Sequence, residues 1–103
     1  MYKLEYLPLA LHDMVDIVKY INSELKNSVA ADNLANEFVK SADALIDFPY
    51  SNPVYHPIRP LKKEYRKLLV NNFIMFYYVD ETEKVITIAR VIYAKRDYGK
   101  ILD

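Results

Sequence analysis

Cations and tyrosines crowd into the second half of the chain, and their types and spacing set the chemistry it can carry. Arg66-Lys67, Arg90 and the run Lys95-Arg96-Asp97-Tyr98 stand there with Tyr77 and Tyr93. Residues 59–103 hold ten Lys and Arg against six acids, whereas residues 1–58 hold four Lys against eight. The formal net charge is zero, yet the chain is polarised along its length and its second half can attract a polyanion. Seven of the ten tyrosines lie from residue 50 onward, so their rings can stack bases beside those cations, as in a plain RNA- or protein-binding domain. The plainer account is that a helical half carries its acids on the wet face and that Tyr is frequent in strands.

Other chemistries find little support. The two histidines, His12 and His56, are far apart and lack a carboxylate cluster, so no metal site is expected. The absence of cysteine excludes disulfides and thiolate metal sites. A single Gly leaves no phosphate-cradling loop, and no Ser/His/Asp triad follows from spacing, so no cofactor is expected.

The elements that must position these residues read clearly. At 103 residues and 52% hydrophobic, the chain forms one domain, 1–103, with a real core. No apolar run is long enough to span a membrane, and Met1–Tyr6 has no signal core, so a soluble cytoplasmic protein is expected. Tyr2–Leu7 reads as a short strand. Pro8 suits a first helical position, and Leu7, Leu11, Met14, Val18, Ile21 and Leu25 form one apolar stripe. Ser28 is the expected N-cap of a second helix, with Ala31, Leu34, Ala35, Phe38, Ala42 and Leu45 on its inner face. Four prolines between 49 and 60 give a stiff, extended connection. Strands follow at Tyr65–Val70, Phe73–Val79 and Val85–Ala94, with Asn71-Asn72 as a two-residue turn. A short helical tail to Asp103 closes the chain. The expected class is α+β: an N-terminal strand, then an antiparallel helical hairpin packed on one face of an antiparallel sheet, β-α-α-β-β-β.

Alternation across the Asn71-Asn72 turn sorts the sheet into two faces. One holds Arg66, Leu68, Val70, Phe73, Met75, Tyr77, Thr87, Ala89, Val91, Tyr93 and Lys95. The other holds Lys67, Leu69, Ile74, Phe76, Tyr78, Ile86, Ile88, Arg90 and Ile92. The second set carries more large aliphatics and is the expected helix-packed core. The first is then the open face, with Arg66, Tyr77, Tyr93 and Lys95 on an apolar floor. Arg90 falls among isoleucines and needs a buried partner, a snorkelling path or a sheet edge.

Three segments carry a resemblance that spans essentially the whole chain: Tyr65–Val70, Phe73–Tyr77 and Ile88–Asp97. The last is similar to the I-x-R-V-L-H-x-x-R-D ending of ParE-like proteins, and Leu7–Asp13 to their helix entry. The sequence thus resembles the RelE/ParE toxins of type II toxin–antitoxin systems, nearer the ParE-like branch. The resemblance implies a growth-arresting toxin that works in plasmid stabilisation and is silenced by a cognate antitoxin, in a complex that can be a heterotetramer. ParE-like members poison DNA gyrase. RelE-like members are metal-independent endoribonucleases that cut mRNA on the ribosome.

Metal-free RNA cleavage needs a base, phosphate-stabilising cations and an acid for the leaving oxygen. By resemblance, the nuclease candidates are Arg66, Lys95, Arg96 and Tyr98. Residues for target or antitoxin contact are Arg66, Lys67, Tyr77, Arg90, Tyr93, Lys95 and Arg96. Two departures favour the gyrase branch. Ile74 stands where many members have Arg, and Tyr93 where several nucleases have His. A tyrosine with an ordinary pKa near 10 is a poor base at neutral pH.

Overall fold

The computed structural model describes residues 1–98 and 101–102. Its elements run β1 (Lys3–Tyr6), α1 (Pro8–Ser23), α2 (Ser28–Ala44), β2 (Arg66–Val70), β3 (Phe73–Asp80) and β4 (Val85–Tyr93). This is the expected β-α-α-β-β-β order. Its last expected element, a helical tail, lies partly outside the described residues; what is described there is a turn, with the Ile101 N–H donating to the Tyr98 carbonyl at 3.0 Å.

Local chemistry sets each boundary. Pro8 occupies the first turn of α1, where its missing N–H is no loss. Lys26 takes a positive φ of 51° and turns the chain between the helices. The N-cap of α2 is Asn27 rather than Ser28: the Asn27 Oδ1 accepts from the Ala30 N–H at 3.0 Å. Asn and Ser cap about equally well, and position along the chain decides between them. Asn71 supplies the left-handed residue of the β2–β3 turn, at φ 53°.

The sheet order is β1-β4-β3-β2. Three strands are antiparallel neighbours, as expected, but β1 pairs parallel to β4, Lys3 opposite Val85 and Tyr6 opposite Ile88, so the sheet is mixed. The helical hairpin carries the chain from β1 to β2 at the opposite edge, and the β2-β3-β4 meander brings β4 back beside β1 in a parallel register. Between Phe76 and Tyr77 the β3–β4 register slips by one: Phe76 pairs with Arg90 and Tyr77 with Ile88, leaving Ala89 as a bulge.

That bulge, and the side the helices take, reverse the expected faces. The helix-packed core contains Val70, Met75, Tyr77, Ile86, Ile88 and Val91, under Ala10, Leu34, Phe38, Ala42 and Leu45. Phe38 is fully buried and meets the Phe73 ring edge-on at 5.9 Å. Tyr77, expected on the open face, is among the most deeply buried side chains. The opposite face is not bare. Ile74, Phe76, Ala89 and Ile92 form a second buried cluster with Tyr65 and Leu102, and Tyr55, Leu61, Tyr98 and Ile101 pack against it. The proline-rich connection and the chain end therefore roof this face. The connection is tied to the β2 edge by a bridge between Val54 and Arg66 and by the Lys67 N–H donating to the Pro53 carbonyl at 3.0 Å.

On α1 the stripe that reaches the sheet is Ala10, Met14, Ile17 and Ile21. Leu11, Val15 and Leu25 are about half exposed instead. Together with Val18, Ala35, Phe38 and Val39, the first two line an almost wholly apolar groove of about 330 Å³ between the helices.

Candidate functional site

Two of the expected cations are used to hold the fold. Arg90 reaches Asp13 on α1 through two hydrogen bonds, Nε to Oδ2 at 2.7 Å and Nη2 to Oδ1 at 2.9 Å. The same carboxylate accepts from the Val91 N–H at 3.0 Å. β1 ends beside Ile88, where the Leu7 N–H donates to its carbonyl, so Asp13 serves the β4 edge that β1 no longer covers. The hydrogen bonds from Arg90 to Asp13 outweigh its burial and raise the guanidinium pKa further.

Arg66 is the second. Its Nη1 donates to the Asn52 carbonyl at 2.8 Å, and its guanidinium lies 4.9 Å from the Tyr50 ring centre. Beside it the Tyr77 hydroxyl donates to the Pro49 carbonyl at 2.9 Å and accepts from the Asn52 side-chain amide at 3.3 Å. Burial pushes the Tyr77 pKa up, against the lowering pull of Asn52 and Arg66. Arg66 and Tyr77 thus anchor residues 49–52.

The connection is also tethered at its start. Glu81 accepts from the Tyr2 hydroxyl at 2.7 Å, from the Tyr50 hydroxyl at 2.9 Å and from Lys84. These donors push the Glu81 pKa down to about 2, and Glu81 in turn pushes Tyr50 up to about 12.

The remaining expected residues lie on β2 and at or just past the end of β4. Lys67 Nζ lies 5.9 Å from the Tyr55 ring centre and 5.7 Å from that of Tyr98. The two rings meet edge to face at 5.4 Å, and both pack on Phe76. Tyr55 and Tyr98 line a surface groove of about 510 Å³ with Pro57, Ile58, Arg59, Ala94, Arg96 and Asp97. Lys95 and Arg96 are exposed beside it. Tyr93, 44% exposed, packs edge-on against Phe73. Asp97 makes no ion pair with Lys95 or Arg96 among the described residues. Burial, Tyr98 and Asp97 raise the Tyr55 pKa, so its hydroxyl is a donor at neutral pH.

The structure therefore brings Lys67 against Tyr98, sets Arg96 in the groove that Tyr98 lines, leaves Lys95 exposed, and keeps Arg66, Tyr77 and Arg90 apart in structural contacts. His56 is an exposed loop residue, and His12 pairs with Asp16 at 3.2 Å on the helix surface. Among the described residues no group of His, Cys, Asp and Glu could hold a metal ion, and no helix is long and apolar enough to cross a membrane. Sequence reasoning missed Tyr55 and Arg59 as groove residues, although the stiff prolines around them were the available signal. It also missed the interhelical groove, whose signal was an apolar stripe on α1 too wide for one sheet contact.

Comparison with known proteins agrees with this architecture. Residues 4–98 match the family model for the ParE toxin of type II toxin–antitoxin systems, parDE. No curated protein matches the sequence. The chain superposes on a chromosomal ParDE system from P. aeruginosa with a TM-score of 0.72 at 18% identity, covering 92% of this chain and 98% of that one. A RelBE toxin–antitoxin complex from Mycobacterium tuberculosis gives 0.64 at 15% identity, covering 89% and 96%. The intact RelBE complex of E. coli gives 0.56 at 17%, covering 93% and 100%. These likenesses show a common fold across both branches. The family match over nearly the whole chain shows more: this chain belongs to the ParE toxin family of type II toxin–antitoxin systems.

Proposed function

We propose that this toxin arrests bacterial growth in the cytoplasm by poisoning DNA gyrase, and that a cognate antitoxin silences it. The observation carrying the choice of target is the use made of the cations. Arg66 and Arg90 are bound to Asn52 and Asp13, so neither is free to stabilise a phosphorane. The Tyr55 hydroxyl at the remaining cluster has a raised pKa and cannot take a 2′-hydroxyl proton at neutral pH. This arrangement favours binding a protein target over cutting RNA.

The similar structures from P. aeruginosa, M. tuberculosis and E. coli are of toxin–antitoxin systems, which supports an antitoxin partner here. The described residues of the connection and chain end already roof the sheet's second face, and an apolar surface open to that partner is the groove between α1 and α2. Its shape and lining suit the apolar stripe of an amphipathic helix. The complex can assemble as a heterotetramer.

The test is induced expression in a bacterial host. Growth should stop with transcripts intact and a DNA-damage response raised, and co-expression of the adjacent short reading frame should restore growth. Undisturbed growth with intact protein, or arrest with cut transcripts, contradicts the proposal.

A further inference from the structure

The edges of the sheet are not treated alike. On β2 the Tyr65 carbonyl accepts from the Tyr55 N–H at 2.8 Å and the Lys67 N–H donates to Pro53, so the connection covers that edge there. On β4 the Val91 N–H, beyond the reach of β1, donates to Asp13. β1 has no such cover. Its Lys3 N–H donates to the Lys84 carbonyl at 2.8 Å and the Leu7 N–H to the Ile88 carbonyl at 2.9 Å, which fixes the phase of the strand. Lys3, Glu5 and Leu7 turn their backbone groups to β4, and Leu4 and Tyr6 turn theirs to the free edge. Among the described residues no hydrogen bond reaches those outer groups. An unpaired edge of this kind is a template for another strand.

The sequence along this edge complements itself when reversed. Tyr2, Leu4 and Tyr6 pack toward the helix-side core, which puts Lys3 and Glu5, both exposed, on the other face. In an antiparallel pair of two copies centred on Leu4, each Lys3 stands opposite the partner's Glu5, each Tyr2 opposite the partner's Tyr6, and Leu4 opposite the partner's Leu4. The next pair outward joins Leu7, extended and 38% exposed, to the partner's Met1, which is fully exposed. Sliding one copy by two residues sets Lys3 against the partner's Lys3, or Glu5 against the partner's Glu5, and like charges directly opposite are unfavourable. Sliding by one sets a residue of the free edge opposite one that faces β4, which cannot pair. The charges therefore select one register. An edge guarded against every strand would carry a single sign of charge.

We infer that two copies of this chain join β1 to β1, antiparallel about a two-fold axis at Leu4, so that two four-stranded sheets become one. Leu4 exchanges two backbone hydrogen bonds with the partner's Leu4, and Tyr6 does the same with the partner's Tyr2. The interface is isologous and closes at the dimer. It is small, below about 1,200 Å² in total, so a weak dimer with a Kd of roughly 10–100 µM is expected. The inference depends neither on the toxin's target nor on its antitoxin: no residue of β1 lines the groove between α1 and α2, and molecular mass is read without either partner.

The experiment is sedimentation equilibrium of the purified full chain over about 1–500 µM, which brackets that Kd. A monomer–dimer equilibrium is expected. Lys3→Glu and Glu5→Lys, both at exposed positions, each turn two attractive pairs into two repulsive ones and should weaken the dimer at least about ten-fold. Mixing the two variants restores opposite charges at both pairs, so the mixture should dimerise about as well as the parent chain. Hydrogen exchange gives an independent reading. The Leu4 and Tyr6 amides should gain protection as concentration rises, while those of Lys3 and Glu5, already turned to β4, should not change. If either variant unfolds, the exchange measurement on the parent chain still decides the matter. The inference is overturned by a monomer throughout the range, by a dimer indifferent to both charge reversals, or by a mixture no more associated than its components. Species larger than a dimer would also refute a closed two-fold pairing. Protection of Leu4 and Tyr6 that appears only on adding the antitoxin would reassign the edge to an antitoxin strand.

Discussion

Replacing Asp13 by Ala tests how α1 is locked to the sheet. The substitution leaves two groups stranded at once, the Arg90 guanidinium and the Val91 N–H. The pair is mostly buried, with side chains 20% exposed for Arg90 and 14% for Asp13. Breaking a buried pair by removing one partner costs about 3–5 kcal/mol, and the residual exposure places this case near the lower end, about 3 kcal/mol. For a domain of this size that lowers Tm by roughly 12–24 °C. Asp13→Asn retains an acceptor for the amide while losing the charge, and should cost about half as much. Arg90→Met removes the cation, so Asp13→Ala should cost much less in that background; a coupling of about 2 kcal/mol is expected from the double-mutant cycle. Urea denaturation at constant m-value measures each term. An Asp13→Ala loss below about 1 kcal/mol, or the same loss with and without Arg90, would refute the reasoning.

Three further predictions follow from other contacts. Glu81 has a folded pKa depressed to about 2 from an ordinary 4.5, so its stabilisation is present above pH 4.5 and disappears as pH falls toward 2. Glu81→Gln should flatten that part of the stability–pH curve, and high salt should shrink the effect because the cluster is exposed. Tyr77→Phe strands the Pro49 carbonyl and should cost about 1–2 kcal/mol in urea denaturation, while growth arrest by the induced variant stays at the parent level. Val15→Glu should leave growth arrest intact yet abolish rescue by the antitoxin, because it places a charge in the apolar groove between the helices.

Much of this fold was legible because local signals agreed with tertiary structure. Pro8, Asn71-Asn72 and the β-branched run Val85–Val91 each pointed to one conformation. The direction of β1 was not legible, since four residues carry no mark of the strand they will join. The faces of the sheet were misjudged for a physical reason. Both faces are apolar, one under the helices and the other under the proline-rich connection and chain end, so aliphatic content could not tell them apart. The Ala89 bulge then moved Ile86 and Ile88 onto the same side as Tyr77. Arg90 stood out among isoleucines as needing a buried partner, a snorkelling path or a sheet edge, and Asp13, 77 residues away, supplies the partner. Lys67, Arg96 and Tyr98 were legible as a basic and aromatic set. Tyr55 and Arg59 joined them only through the path of the connection.

A supercoiling assay with purified DNA gyrase, relaxed plasmid and ATP most directly tests gyrase poisoning. Added toxin should block supercoiling and leave cleaved plasmid in the presence of gyrase, and pre-incubation with the antitoxin should remove both effects. Full supercoiling at saturating toxin, from a preparation that arrests growth on induction, would contradict the assignment of gyrase as the target.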